Sequence, residues 1–210
     1  MGAQAHTFLF ADLVGFTALA EAEGDDRALQ AVLALQRRVH DLLEEHSAEQ
    51  VKAIGDGLML RCGDPRSAVK LGLRVIEDVA GEDGVPPVRI GIHTGPALAS
   101  AGDWYGRTVN VAARLCAVAP GGEVMVSEST RSAAGDMPGV DWGERELHWL
   151  RNVSEPVATY LVTPQWEASA AAVGPSAAAG ETQASPAGRG RDRRVGFPCI
   201  RNLPREVMGW

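Results

Sequence analysis

The sequence predicts an α+β fold in which a mostly antiparallel sheet carries helices on one face. Short apolar segments that suit buried strands recur along the chain, and longer segments between them place apolar residues at helical spacing. Two of the short segments flank the turn sequence Gly55-Asp56-Gly57, which is typical of a hairpin. The predicted element order is β-α-β-β-α-β-α-β-α-β-β.

The first third of the chain is predicted to hold a strand, a helix and a hairpin. Residues 7–13 form a short apolar strand that ends before Gly15. Asp25 or Asp26 is expected to cap the first helix. The apolar positions of that helix are Leu29, Val32, Leu33, Leu35, Val39, Leu42 and Leu43. Residues 50–61 supply the two strands of the hairpin.

The second helix is predicted to begin at Asp64-Pro65, because aspartate is a good N-cap and proline fits the first helical position. Its inward face is predicted to contain Ala68, Gly72, Val75, Ile76 and Val79. After two prolines, the remaining predicted elements are a strand at 88–93, a helix at 109–117, a strand at 123–126, a short helix from Ser127 or Ser129, and a hairpin-like pair at 145–150 and 157–162.

Composition divides the chain into a predicted domain at 1–164 and a tail at 165–210. The tail is rich in alanine, glycine, serine and proline without periodicity, which is typical of disordered segments. It carries six arginines and four acidic residues, whereas residues 1–164 carry 14 basic and 23 acidic residues. An acidic domain argues against nucleic acid as its partner.

The sequence favours a cytoplasmic location without membrane insertion. No segment approaches the roughly 18 consecutive apolar residues that span a bilayer, and the N-terminus lacks the pattern of a secretion signal. Cys62, Cys116 and Cys199 are scattered and lack the spacing of a metal site, which fits a reducing compartment.

The segment FADLVGFT, residues 10–17, could bind a phosphate and a cation. A charged aspartate at the end of a buried strand is costly unless it is compensated, and the carboxylate of Asp12 suits a hard cation such as Mg²⁺. Gly15, Phe16 and Thr17 predict a tight turn that opens onto a helix N-terminus, where phosphate oxygens bind. Asp12 could instead be a turn-forming or helix-capping residue.

Lys52 and Asp56 each allow a structural and a functional interpretation. An aspartate in a turn is most often only a turn residue, and a lysine at a strand edge is most often solvated. Their spacing of four positions would also suit a surface ion pair. Alternatively, Asp56 and Asp12 could hold two divalent ions beside a phosphoryl group, because neighbouring strand ends can bring two carboxylates together.

A third polar cluster lies in DWYGRTVNVAAR, residues 103–114. If the helix begins near residue 109, Asn110 and Arg114 are four positions apart and share one face. They could form a surface hydrogen bond. If they point into a site instead, the arginine provides a fixed charge for a phosphoryl transition state.

Four segments together resemble the motifs of the class III adenylyl and guanylyl cyclase catalytic domain. They are FADLVGFT, KAIGDGLM, RIGIHTG and GDWYGRTVNVAAR, in the order and spacing of that family. The resemblance covers about residues 7–163 and closes with LRNVSEPVATYLV. It implies a ferredoxin-like or palm-type fold, with a mostly antiparallel sheet and flanking helices. Where the family often has a glycine in its last hairpin, this chain has Asn152, which tolerates left-handed backbone angles.

The resemblance also implies roles for individual residues. Asp12 and Asp56 match the metal-binding aspartates, and the backbone carbonyl of Leu13 is a further ligand. Asn110 and Arg114 match the pair that orients the ribose and stabilises the transition state. The substrate-binding positions are completed by Val14, Gly15, Phe16, Thr17, Lys52 and Asp103, with Arg151 near a lysine position that contacts the triphosphate.

Lys52 and Asp103 match the two residues that read the purine. Lysine can donate a hydrogen bond to adenine N1, and aspartate can accept one from the N6 amino group. Guanylyl cyclases typically have glutamate and a small residue, cysteine or serine, at these two positions. The pair therefore points to ATP.

The implied reaction converts ATP to 3′,5′-cyclic AMP and pyrophosphate with two Mg²⁺ or Mn²⁺ ions per site. The implied assembly is a homodimer, in which one subunit provides the metal-binding aspartates and the other provides the purine-reading and Asn/Arg pairs. One alternative is a catalytically silent nucleotide-binding or dimerisation module, and another is a guanylate cyclase. A diguanylate cyclase is disfavoured, because its GG[DE]EF hairpin is missing from the sequence.

Overall fold

The computed structural model describes residues 4–80 and 82–165, and the fold within them is built on one large sheet. The elements are β1 (Ala5–Leu13), α1 (Phe16–Glu23), α2 (Asp25–Leu43), β2 (Ala48–Ile54), β3 (Gly57–Cys62), α3 (Pro65–Ala80), β4 (Val88–Pro96), β5 (Leu98–Ser100), β6 (Asp103–Tyr105), α4 (Arg107–Val118), β7 (Val124–Ser127), α5 (Glu128–Ala134), β8 (Val140–Asp141), β9 (Glu146–His148) and β10 (Val157–Pro164).

Eight of the described strands form the main sheet, in the order β2-β3-β1-β4-β7-β10-β8, with β9 also paired to β10. The β4–β7 pair is parallel and the other pairs are antiparallel. This arrangement confirms the predicted α+β class and the mostly antiparallel sheet. The strands β5 and β6 pair only with each other and form a separate small hairpin.

The described helices pack on both faces of the sheet, so the prediction of a single helical face is wrong. Side chains alternate along β1, and Leu9 and Leu13 face the core that α2, α3 and α5 cover. Phe8 faces the opposite side, where α4 packs. Helix α4 can approach closely because β4 has a glycine there: a Cβ on Gly91 would lie 2.0 Å from the backbone nitrogen of Cys116.

The predicted hairpin at 50–61 is confirmed as β2 and β3, which are antiparallel and joined by a two-residue loop. Gly55, the first residue of that loop, has φ 60°, a left-handed conformation that glycine adopts without strain. The register of β2 shifts between Gln50 and Lys52, which indicates a bulge. Because a bulge reorients the side chains that follow it, this irregularity helps to aim Lys52.

Two of the three predicted helix caps are correct. The Asp64 carboxylate accepts a hydrogen bond from the Ser67 amide at 3.1 Å, and the Ser127 hydroxyl accepts one from the Thr130 amide at 3.3 Å. The predicted cap at Asp25 or Asp26 is wrong, because Gly24 is the N-cap and both acids lie in the first turn. Their negative charges are favourable there, at the positive end of the helix dipole.

Two apolar residues of α2 do not face the core as predicted. Leu29 and Leu33 are exposed, and the buried stripe of this helix is completed by alanines instead. Its buried residues are Ala28, Ala31, Val32, Ala34, Leu35, Val39 and Leu42. The strands β5, β6 and β8 were missed because each has at most three residues, and α1 was absent from the predicted element order although a helix N-terminus was predicted after Gly15.

The last described strand, β10, ends at Pro164, and the domain boundary at residue 164 stays a prediction. The predicted tail lies outside the described residues except for residue 165, and so does Cys199. Within residues 4–80 and 82–165, none of the helices has the length and apolar character needed to cross a membrane.

Candidate active site

The two predicted metal-binding aspartates lie side by side. Asp12 is near the end of β1, and the antiparallel pairing of β1 with β3 brings the loop that contains Asp56 to the same edge. A Cβ on Gly57 would be 3.1 Å from the Oδ1 atom of Asp12, so the loop backbone lies against that carboxylate. Burial, and next the charge of Asp12, raise the pKa of Asp56 above its ordinary value.

A third charged residue at this edge, Arg89, was not identified from the sequence. It is the register partner of Asp12 on β4, and its Nε and Nη2 atoms donate to Asp12 Oδ2 at 2.9 and 2.5 Å. Its Nη1 atom donates to the carbonyl of Ala117 at 2.9 Å. Arg89 is the first residue of the RIGIHTG segment, but its contact with Asp12 depends on the pairing of β1 with β4.

The turn after β1 has the conformation predicted for residues 14–17. The Val14 amide donates to the carbonyl of Pro87 at 2.8 Å, and Gly15 has φ 79° as the residue that precedes α1. Helix α1 then begins at Phe16 and includes Thr17. Leu13 has a buried side chain, so only its backbone can contribute to a site at this edge.

Lys52 and Asp103, the two predicted purine-reading residues, are in direct contact. The Nζ atom of Lys52 is 2.5 Å from Oδ2 of Asp103, although the two residues are 51 positions apart. The other carboxylate oxygen of Asp103 accepts from the Trp104 amide at 2.8 Å. These hydrogen bonds, first that from Lys52, hold the pKa of Asp103 below its ordinary value. The ion-pair partner of Lys52 is therefore Asp103 and not Asp56.

Asn110 and Arg114 line one cavity of about 380 Å³ beside α4. The Nη1 atom of Arg114 is buried and has no hydrogen-bond partner among the described residues. Asn152 also lines the cavity. Its φ of 55° is in the left-handed region, which asparagine tolerates. Arg151 is exposed in the same turn and does not line the cavity.

The three pairs lie in different places on the chain. Asp12 lines a cavity of about 230 Å³, which α4 borders with Ala113, Cys116 and Ala117. The cavity of Asn110 and Arg114 lies on another side of α4 and has no lining residue in common with the first. Lys52 and Asp103 line neither cavity. The structure thus brings the six residues together as pairs, not as one cluster within a chain.

Comparison with protein-family models gives a match to the adenylate and guanylate cyclase catalytic domain over residues 2–163. A pH-sensitive adenylate cyclase of Mycobacterium tuberculosis is 39% identical over 159 residues, which are 71% of this chain and 39% of that protein. An adenylate cyclase of Streptomyces griseus is 35% identical over 117 residues, which are 56% of this chain and 29% of that protein. The chain thus spans less than half the length of these relatives.

Solved structures show the same fold. Adenylate cyclases of Trypanosoma brucei in their monomeric state match with a TM-score of 0.69 and 25% identity, over 75% of this chain and 89% of that one. An adenylate/guanylate cyclase/hydrolase of Silicibacter pomeroyi matches with a TM-score of 0.68 and 24% identity, over 77% and 97% of the two chains. The resemblance predicted from four motifs is confirmed: the chain belongs to the class III adenylate and guanylate cyclase catalytic domain family.

Proposed function

We propose that this chain is an adenylate cyclase that converts ATP to 3′,5′-cyclic AMP and pyrophosphate. The observation that carries the proposal is the contact of Lys52 with Asp103 at 2.5 Å. It sets a hydrogen-bond donor beside an acceptor, which is the pattern that complements the edge of adenine. The relatives named adenylate cyclase, at 39% and 35% identity, support the same substrate.

The Lys52–Asp103 pair matches adenine and mismatches guanine. In adenine, position N1 accepts a hydrogen bond and the N6 amino group donates one, so a lysine facing N1 and an aspartate facing N6 are both satisfied. Guanine presents a donor at N1 and an acceptor at O6. In the same orientation it would place donor against donor and acceptor against acceptor, which leaves polar groups unpaired.

Asp12 and Asp56 fit a site for divalent cations, which cyclase domains of this family use. Within residues 4–80 and 82–165, no three His, Cys, Asp or Glu side chains converge to hold a metal. Two carboxylates are nevertheless the usual protein share for Mg²⁺, which takes its other ligands from water and substrate phosphates. A cation would also offset the repulsion by Asp12 that raises the pKa of Asp56. We assign these carboxylates and the Leu13 carbonyl to two Mg²⁺ or Mn²⁺ ions.

When bound, such ions lower the pKa of the ribose 3′-hydroxyl and neutralise the departing pyrophosphate. The remaining roles belong to the chain itself. The buried Nη1–H of Arg114, which has no hydrogen-bond partner in the described part of the chain, can donate to the α-phosphoryl oxygens as their charge grows. Asn110 lines the same cavity and orients the ribose. The turn at residues 14–17 holds phosphate oxygens, and Arg151 contacts the triphosphate from its exposed turn.

The separation of the three pairs supports a homodimer with two sites at the subunit interface. Asp12 and Arg114 line different cavities of one chain, which supports a site completed by groups from two copies. One copy provides the aspartate pair. The other copy provides Lys52 with Asp103 and Asn110 with Arg114.

The test of the reaction is an assay of the full chain for cyclic AMP and cyclic GMP, with ATP or GTP and with Mg²⁺ or Mn²⁺. We expect cyclic AMP from ATP and little product from GTP. Cyclic GMP as the main product would identify a guanylate cyclase. If neither nucleotide gives a product with either metal, the chain is a silent nucleotide-binding or dimerisation module.

The test of the shared site is complementation between two inactive variants, Asp12→Ala and Arg114→Ala, expressed together. Random pairing makes half of the dimers mixed, and each mixed dimer has one intact site of two, so about a quarter of the wild-type activity should return. The matched control is Asp12→Ala with Asp56→Ala. Both residues belong to the same half-site, and this mixture should stay inactive. A mixed Asp12/Arg114 dimer that forms but stays inactive would falsify the two-chain site.

A further inference from the structure

Asp103 lies on a small hairpin that the main sheet does not hold. Strands β5 and β6 pair with each other, in the register Leu98 with Tyr105 and Ser100 with Asp103. Neither strand has a hydrogen-bonded partner in the eight-stranded sheet. The hydrogen bonds of the main sheet hold β2, which carries Lys52, but they do not extend to β6, which carries Asp103. Contacts between side chains therefore help to fix the position of β6.

The side chain that ties β6 to the main sheet is Trp104, the residue next to Asp103. Its ring lies 4.3 Å from the ring of His6 and 5.6 Å from the ring of Phe8, centroid to centroid, and the Phe8 contact is edge-on. The guanidinium carbon of Arg61 lies 5.2 Å from the centre of the same ring. Aromatic pairs and cation–π contacts at these distances are stabilising and depend on orientation.

The groups around Trp104 are themselves held by the sheet. His6 and Phe8 are on β1, and Arg61 is on β3, next to it in the strand order. Arg61 donates through Nε to Glu49 at 2.5 Å, and Glu49 is its register partner on β2. The pKa of Glu49 is lowered chiefly by this hydrogen bond, with a smaller contribution from the Trp104 indole. Trp104 thus contacts side chains that three paired strands keep in place.

We propose that Trp104, held by His6 and Arg61, is a positioning residue that sets the Asp103 carboxylate against Lys52 and so determines the preference for adenine. The inference rests on the proposed function, because it concerns the same purine-reading pair. The geometry gives the reason: the backbone amide of Trp104 donates to Asp103 at 2.8 Å, so the residue whose ring packs on the main sheet also holds the carboxylate. A misplacement of about 1 Å at such a group can cost up to about a hundredfold.

The experiment measures binding of 3′-deoxy-ATP and 3′-deoxy-GTP to the full chain with Mg²⁺, together with kcat and KM for ATP. The 3′-deoxy nucleotides lack the attacking hydroxyl, so they bind without reacting. Trp104→Leu keeps apolar volume but removes the aromatic face, whereas Trp104→Phe keeps a face for His6 and Arg61. The matched control is Trp142→Leu, because Trp142 is also half-buried beneath an arginine, Arg131 at 5.8 Å, but does not contact Asp103.

We expect Trp104→Leu to weaken binding of 3′-deoxy-ATP about tenfold or more, to leave 3′-deoxy-GTP nearly unchanged, and to raise KM far more than it lowers kcat. Trp104→Phe should recover most of the preference for the adenine analogue. Trp142→Leu should leave the ratio of the two dissociation constants unchanged. If Trp104→Leu does not fold, Arg61→Met replaces it, since this variant removes the cation over the ring and should reduce the ratio in the same direction.

Three results would overturn the proposal: an unchanged ratio in Trp104→Leu, an equal loss in Trp142→Leu, or no recovery in Trp104→Phe. Failure of the proposed function is a different result. A wild-type chain that makes no cyclic AMP but binds 3′-deoxy-ATP more tightly than 3′-deoxy-GTP refutes the activity alone, and the binding ratios still test Trp104. A wild-type chain without this binding preference refutes both.

Discussion

Two pairs of charged residues in this chain are in opposite electrostatic states. Lys52 and Asp103 carry opposite charges and contact each other at 2.5 Å, which lowers the pKa of Asp103. Asp12 and Asp56 carry like charges, and the pKa of Asp56 is raised by burial and by its neighbour. The first pair is satisfied within the chain, whereas the second holds two like charges close together. Under the proposed function, the base-reading pair therefore forms before its ligand arrives, while the cation-binding pair costs stability until a cation is bound.

Arg89 compensates the charge of Asp12 but has little effect on that of Asp56. Its guanidinium contacts Oδ2 of Asp12 through two nitrogens, and this arrangement partly neutralises Asp12. Burial and the charge of Asp12 have the largest effects on the pKa of Asp56, and Arg89 has the smallest. The charge of Asp56 is therefore compensated less than that of Asp12, and under the proposed function it is the charge available to a cation.

The largest expected effect comes from removing that charge. Asp56→Asn should lower kcat for cyclic AMP formation about 10³-fold or more, because the several kcal/mol that metal ions contribute to phosphoryl transfer depend on this ligand. The measurement is initial rates with saturating ATP and either Mg²⁺ or Mn²⁺, with circular dichroism as a check of folding. Activity within tenfold of wild type would show that the two pairs do not differ in role.

A smaller effect is expected from reversing the donor and acceptor at the other pair. Lys52→Glu combined with Asp103→Ser should lower kcat/KM for ATP by roughly a hundredfold and raise it for GTP, since the variant presents an acceptor to guanine N1–H. Competition between ATP and GTP in one assay gives the ratio directly. Loss of both activities together, in a folded variant, would mean that the pair supports the structure and does not read the base.

Local signals in the sequence were sufficient for part of the fold and part of the site. The caps at Asp64 and Ser127 and the loop at Gly55 are set by residues within three positions of each other, and all three were predicted correctly. The family resemblance gave Lys52 and Asp103 a common role, but their direct contact was not predicted. Nothing in either segment alone indicates a contact across 51 positions.

Other features depend on tertiary packing that no local pattern specifies. The contact of Arg89 with Asp12 exists because β1 pairs with β4, 77 positions away. The position of α4 depends on Gly91, which leaves room for the helix backbone on the far face of the sheet. The outward direction of Leu29 follows from the small residues that make up the buried stripe of α2. For Arg89 and Gly91 the decisive partner is distant in the sequence, and for α2 it is the rest of the fold that selects the buried face, so periodicity could not identify any of them.

The smallest predicted effects are changes in thermal stability, which distinguish the two pairs without an activity assay. They are measured in protein that a chelator has freed of metal. Because the pKa of Asp56 is raised in the folded state, the folded protein binds this proton more tightly than the unfolded chain does. The free energy of unfolding therefore falls as pH rises from the ordinary pKa through the raised one, and the whole penalty is present at neutral pH. Asp56→Asn should raise Tm at pH 7 by about 2 °C, since solvent screening limits the penalty to roughly 1 kcal/mol. The gain should disappear at pH 3, where Asp56 is protonated in both states.

Lys52→Met is the matched variant at the other pair, and it should change Tm in the opposite direction. It leaves Asp103 without its ion-pair partner, and because solvent screens partly exposed pairs of this kind, only a small decrease of up to about 2 °C is expected. Differential scanning calorimetry of both variants and the wild type at pH 7 and pH 3 makes the comparison. A stabilising Lys52→Met, or a gain in Asp56→Asn that persists at pH 3, would contradict the assignment of one satisfied and one unsatisfied pair.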